Sequence, residues 1–224
     1  MTHLPIEFSL RVARMARYFV AGDPTDVTRD VWIALHGYGQ LAEHFLGALD
    51  PLAGEGRVLV APEALSRFYL DEPAKRHGPD SPVGASWMTR EDRVHEIIDY
   101  VRYLDDVADA VRRVATKATI NVLGFSQGVA TACRWVALGH TPVKRLVLWG
   151  GAIAADLKQG APDGVFHGAS VTLVAGKKDA IVPPKFMKKE QATLAALEVT
   201  ADIVEHDGGH SLNSTVLRQL AAAS

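Results

Sequence analysis

The segment TINVLGFSQGVATACRWVAL (residues 119–138) decides the fold. Its first seven residues are a short apolar run, the pattern of a strand covered on both faces. Its last twelve read as a helix. Between them GFSQG (124–128) fits G-x-S-x-G, in which a serine sits on a sharp turn from strand to helix. Flanking glycines let neighbouring chain pack close to such a turn. The free N–H groups at the start of the helix then face the serine and favour negative charge beside it. Ser126 is therefore a candidate nucleophile.

Further short runs lie on either side: VWIALHG (31–37), RVLVAPEA (57–64), VKRLVLWGG (143–151), VTLVAGKKD (171–179) and ADIVEH (201–206). They alternate with helical patterns over about 40–49, 90–116, 184–198 and 212–222. This alternation predicts a mostly parallel sheet with crossover helices. The clearest helix is 90–116, where Val94, Ile97, Ile98, Val101, Leu104, Val107, Ala108, Val111 and Val114 recur at steps of three and four. Thr89 is its expected N-cap. Segment 8–22 alternates less cleanly and reads as one or two antiparallel edge strands. The whole chain, 1–224, is expected to form one domain.

Residues 65–88 break the pattern. They hold three prolines, two glycines and three aromatics, and read as a loop covering the site. Phe68, Tyr69 and Trp87 are the large side chains there that could form an apolar wall against a substrate.

A serine needs a base. His210, in DGGHSL, follows the last predicted strand, with two glycines that permit a tight loop. An acid that orients the base should end a strand between the two. Asp179, in VTLVAGKKDAIVPP, does so. Asp156 and Asp163 have no strand end beside them, and Asp202 is at the wrong end of its strand. Glu205 and Asp207 are too close to His210 in the chain. An oxyanion needs two donors. One is the main-chain N–H of Gln127; the other is that of Tyr38, in ALHGYGQ (34–40) after an early strand. His36 is expected to order that loop.

Composition narrows the class. Lys and Arg number 24 against 26 Asp and Glu, a net charge of -2, so no basic footprint suggests nucleic acid. The single cysteine, Cys133, allows no internal disulfide and reads as a buried packing residue. The N-terminus has no apolar core of a signal peptide, and no run is long enough to span a membrane; a cytoplasmic location is the expectation. No metal-ligand pairing or phosphate-cradling loop is present, so no cofactor or metal is expected.

LHGYGQ, GFSQG, GKKDAIVP and GGHSL, in this order and spacing from about residue 31 to 220, resemble the phospholipase/carboxylesterase group of α/β-hydrolases, which includes acyl-protein thioesterase-like esterases. Ser86-Trp87 also resembles a pair that the group carries before its long helix. The resemblance implies an α/β-hydrolase fold, with Ser126, Asp179 and His210 as triad and Tyr38 and Gln127 as oxyanion donors. It implies a serine esterase acting on a small-molecule ester; segment 65–88, too short and too polar for a long lipase-type lid, points to short-to-medium acyl chains. Thioester or lysophospholipid hydrolysis, acyl transfer, and a non-catalytic binding role are the alternatives. The sequence after Trp87 (MTREDR) and segment 65–80 depart from the group's pattern.

Overall fold

In the computed structural model, which describes residues 6–71, 76–157 and 164–223, the apolar runs line up in one sheet. Its strands are β1 (Tyr18–Ala21), β2 (Asp30–Leu35), β3 (Arg57–Pro62), β6 (Thr119–Phe125), β7 (Arg145–Trp149), β8 (Ser170–Gly176) and β9 (Ala201–His206). Their order is β1-β3-β2-β6-β7-β8-β9. All neighbours pair parallel except β1, which runs antiparallel on β3. Only residues 18–21 of the predicted edge segment 8–22 form a strand.

Helices cover both faces: α1 (Ala42–Gly47), α2 (Arg93–Arg112), α3 (Gln127–Leu138), α4 (Pro184–Ala196) and α5 (Ser214–Ala222). Strand residues alternate between two cores, as a period of two requires. Val31, Ile33 and Leu35 meet the side of α2, α3 and α4, with Leu104, Val129 and Leu194. Trp32 and Ala34 meet the side of α1 and α5, with Phe45 and Leu217. Each such aliphatic side chain, fully buried, stabilises the fold by about 1.5–3 kcal/mol relative to exposure.

Two expectations are corrected. The long helix starts at Arg93, with Asp92 preceding it in the left-handed region, φ 45°. Thr89 does not cap it, because its hydroxyl accepts from the Glu91 N–H and closes a separate turn. Val94, Ile98 and Val114 are exposed rather than buried. At 100° per residue Ile98 falls roughly 120° around the helix from Leu104, off the stripe that packs inward, Val94 lies in the first turn, and Val114 lies past the last helical residue, Arg112. The second correction concerns 65–88. Instead of an irregular loop, β4 (Ser66–Tyr69) and β5 (Val83–Ser86) pair as a two-stranded antiparallel ribbon. Residues 72–75 of that segment lie outside the described residues.

Candidate active site

Ser126 closes the turn between β6 and α3 with φ 53° and ψ −116°, a conformation that L-residues rarely adopt. The chain around it fixes this strained geometry. The Ser126 N–H donates to the Trp149 carbonyl on neighbouring β7 (2.9 Å). A side chain on Gly128 would run into the Leu35 carbonyl, and one on Gly151 into the Ser126 carbonyl. Strain of this kind costs about 1–3 kcal/mol and persists only where the surroundings dictate it.

His210 Nε2 lies 3.0 Å from Ser126 Oγ, and its Nδ1 lies 2.7 Å from Asp179 Oδ2. The Asp179 side chain is buried, and its other oxygen accepts from the Ile181 and Val182 N–H groups, both at 2.8 Å. That carboxylate can neither rotate nor move away from the imidazole. The acids set aside in the sequence stand apart. Asp156 accepts three bonds from Arg134, and Asp207 pairs with Lys177 at the surface. Asp163 lies outside the described residues.

The loop after β2 runs against the serine: a Cβ on Gly37 would sit 3.1 Å from Ser126 Cβ. Within this loop the Gly37 N–H donates to Gln40 Oε1, Gly39 to the Ala85 carbonyl and Gln40 to the Gly37 carbonyl. The Tyr38 N–H has no acceptor among the described residues. The Gln127 N–H is in the first turn of α3, where no intrahelical acceptor exists. His36 orders the loop as expected. Fully buried, it lies 2.8 Å through Nδ1 from the Gly37 carbonyl and accepts the Ala64 N–H at Nε2. Burial pushes its pKa below 6.5, which keeps it neutral and able to accept that bond.

The three aromatics separate. Phe68 is half-buried, with its ring 5.0 Å from that of Tyr38. Tyr69 is the next residue of β4 and therefore points to the opposite side, where it stacks on His77 at 4.0 Å. Trp87 is buried, its indole N–H donates to the His36 carbonyl, and its ring packs between His36 and Tyr100. It is therefore withdrawn from any open wall and belongs to the packing beneath the loop.

Three features carry no signal that sequence reasoning used. The Gln127 carboxamide joins the elbow to the end of β5 and the residues that follow it: it accepts the Trp87 N–H (3.1 Å) and donates to Ser86 Oγ (3.1 Å) and the Met88 carbonyl (2.9 Å). Gly150, at φ +57°, lets the chain pass beneath Asp179 and His210; a Cβ there would lie 3.6 Å from both. The Gly-Gly pair ending β7 was its only trace in the sequence. His206 accepts the Gly208 N–H at Nδ1 (3.1 Å) and so braces the loop that carries His210.

Among the described residues no group of three His, Cys, Asp or Glu side chains could hold a metal ion. No helix among them is long and apolar enough to cross a membrane. Cys133 is fully buried, and burial pushes its thiol up to about 12.

Solved structures share this architecture. The carboxylesterase of Bacillus cereus aligns over 93% of this chain and 93% of its own, with a TM-score of 0.68 and 17% identity. A carboxylesterase from Mesorhizobium loti aligns over 93% and 95%, with a TM-score of 0.67 and 19% identity. The acyl-protein thioesterase 2 of Zea mays aligns over 93% and 99%, with a TM-score of 0.65 and 17% identity. At such identities these likenesses establish the α/β-hydrolase fold alone. No curated protein matches by sequence. The family model described as serine hydrolase (FSH1) matches residues 31–215, from β2 into α5, and the chain belongs to that serine hydrolase family.

Proposed function

We propose that this serine hydrolase is a carboxylesterase whose triad is Ser126, His210 and Asp179. The observation that carries this reading is the continuous hydrogen-bonded line from Ser126 Oγ through both nitrogens of His210 to Asp179. His210 Nε2 removes the proton as Ser126 Oγ attacks the ester carbonyl. Asp179 holds the tautomer with the proton on Nδ1 and stabilises the imidazolium that forms. The Tyr38 and Gln127 N–H groups receive the oxyanion. His210 then protonates the leaving alcohol, which departs as the tetrahedral adduct collapses to an acyl-serine. Water attacks that acyl-enzyme by the reverse route, releasing the acid and restoring Ser126.

The substrate is a small-molecule ester with a short-to-medium acyl chain. Tyr38, on the loop after β2, and Phe68, whose ring lies 5.0 Å from it at a tilt, are the apolar wall available to it. The ribbon is a cover of two short strands, too small to enclose a long acyl chain. The domain reading of 1–224 as one unit goes with this proposal.

A fluorophosphonate probe should label the protein once, at Ser126, and p-nitrophenyl acetate or butyrate should be hydrolysed. Ser126→Ala should abolish both signals while the protein stays folded. Hydrolysis or labelling that survives this substitution would overturn the assignment.

A further inference from the structure

The chain before β1 leaves the sheet as an arm. Residues 6–17 pair with no strand among the described residues, yet their sequence has the period of one. Ile6, Phe8, Leu10 and Val12 alternate with Glu7, Ser9, Arg11 and Ala13. Residues 14–17 (RMAR) interrupt the alternation before β1, where Tyr18 and Val20 are exposed and Phe19 and Ala21 pack against the core of α1 and α5. The apolar residues of the arm are 78%, 88%, 87% and 72% exposed, respectively. Single exposed apolar side chains are ordinary on a soluble protein; four in strand register on one segment are not.

We infer that residues 6–12 pair antiparallel with the same residues of a second copy of this chain, giving a two-fold dimer through exchanged arms. The sequence IEFSLRV supplies the argument for this occupant over any other. Antiparallel pairing about a two-fold axis through Ser9 sets residue i opposite residue 18 − i. Ile6 then faces Val12, Phe8 faces Leu10, and Glu7 faces Arg11, each twice per dimer. Apolar residues meet apolar ones on one side of the ribbon, and opposite charges meet on the other. Such a pattern is self-complementary in the sense that an isologous interface requires.

The surroundings suit this pairing. β1 is the end strand of the sheet, so the arm continues an open edge rather than a buried one. The arm passes over α2: Tyr103 donates to the Arg17 carbonyl (2.7 Å), and the charge of Glu7 acts on His95. Val94 and Ile98 are exposed on the same helix.

Sedimentation velocity of the full chain from 1 to about 100 μM tests the proposal. The unaltered protein should be a dimer that dissociates on dilution. Glu7→Arg alone, and Arg11→Glu alone, each set like charges opposite one another twice, and should weaken the dimer by at least about tenfold. The double variant restores opposite charges and should return the dimer to near its original affinity. Ser9→Cys, on the axis, should crosslink to a dimer on mild oxidation, whereas Ala13→Cys should not. Esterase activity, which does not involve the arm, checks that each variant is folded. A monomer throughout the concentration range would overturn the inference. So would a dimer indifferent to Phe8→Glu with Leu10→Glu, a charge swap that fails to rescue, or a monomer whose arm binds phosphatidylcholine vesicles.

Discussion

Replacing Asp179 by asparagine isolates what the acid does, because the structure fixes how the new amide must sit. In the native protein Oδ1 accepts two main-chain N–H groups, from Ile181 and Val182, while Oδ2 faces His210 Nδ1. An amide can satisfy the two N–H donors only with its carbonyl oxygen. Its NH₂ is then forced toward the imidazole. A donor in that place selects the tautomer with a bare Nδ1 and the proton on Nε2, which donates to Ser126 and cannot accept its proton. Restoring the working tautomer sets two buried donors against each other, at about 2–3 kcal/mol. The imidazolium also loses its charged partner, at about 1.5–3 kcal/mol. Together these come to roughly 4–6 kcal/mol, or a fall in kcat of about 10³–10⁴-fold. Turnover of p-nitrophenyl butyrate is the assay, with a thermal melt to show that the fold persists. Asp207→Asn is the control, since its exposed pairing with Lys177 touches neither His210 nor Ser126. The reasoning fails if Asp179→Asn stays within tenfold of the unaltered enzyme, or if Asp207→Asn is the more damaging change.

Three other outcomes are expected. Cys133, fully buried with its thiol raised by burial, should resist Ellman's reagent in the native state and react once the protein is unfolded; rapid native labelling or loss of activity would contradict its burial. Phe68→Ala should shift the p-nitrophenyl ester chain-length profile more than Tyr69→Ala, since the two rings point to opposite sides of β4; equal shifts would remove the ribbon from substrate selection. Stability should fall as the pH drops below about 6.5, because burial lowers the pKa of both His36 and His206 and the unfolded chain then binds protons that the native state refuses. Their contribution is complete above 6.5 and is lost as pH falls through the lowered native values. The lowered carboxyls of Glu63 and Asp156, where arginine bonds outweigh burial, act with the same sign at lower pH. His95, raised by its bond to Asp92 at the surface, acts with the opposite sign. Chemical denaturation at pH 7.5, 6 and 5 would read the trend, and a midpoint that climbs as pH falls would refute it.

The inner strands β3, β2, β6, β7 and β8 were legible because they are buried on both faces, and burial leaves a run of apolar residues in the sequence. The elbow was legible because its geometry needs glycine at fixed offsets from the serine. What escaped were features made by contacts between segments far apart in the chain. The β4–β5 ribbon has little apolar period of its own and is held by main-chain bonds to the loop after β2, such as Gly39 N–H to the Ala85 carbonyl. Trp87 has the composition of a site wall, but its indole N–H finds the His36 carbonyl inside the core, and that single bond moves it inward. Thr89 has the identity of a cap, yet its hydroxyl is taken by a nearer N–H. In each case a polar partner that the local sequence does not reveal decided the outcome.

The order of the strands explains why these residues converge at all. After β2 the chain moves outward to β3, and it later returns to place β6 on the other side of β2. The connections leaving the carboxyl ends of β2 and β6 therefore part in opposite directions, one to α1 over one face and one to α3 over the other. In α/β folds ligands bind outside the carboxyl ends of the strands where connections part in this way. The loop after β2 carries Tyr38 and the turn after β6 carries Ser126, so the proposed donor and the proposed nucleophile lie on the two sides of this parting. β7 and β8, next in line, bring Gly150 beneath the imidazole and Asp179 beside it. The loop after β9 then has only to reach back across two strands, and Gly208 and Gly209 give it the clearance to do so. A strained serine needs rigid neighbours, and β6 has a paired strand on each side and an apolar core on each face. The burial that holds the sheet together is thus also what holds Ser126 in the conformation that the proposed chemistry uses.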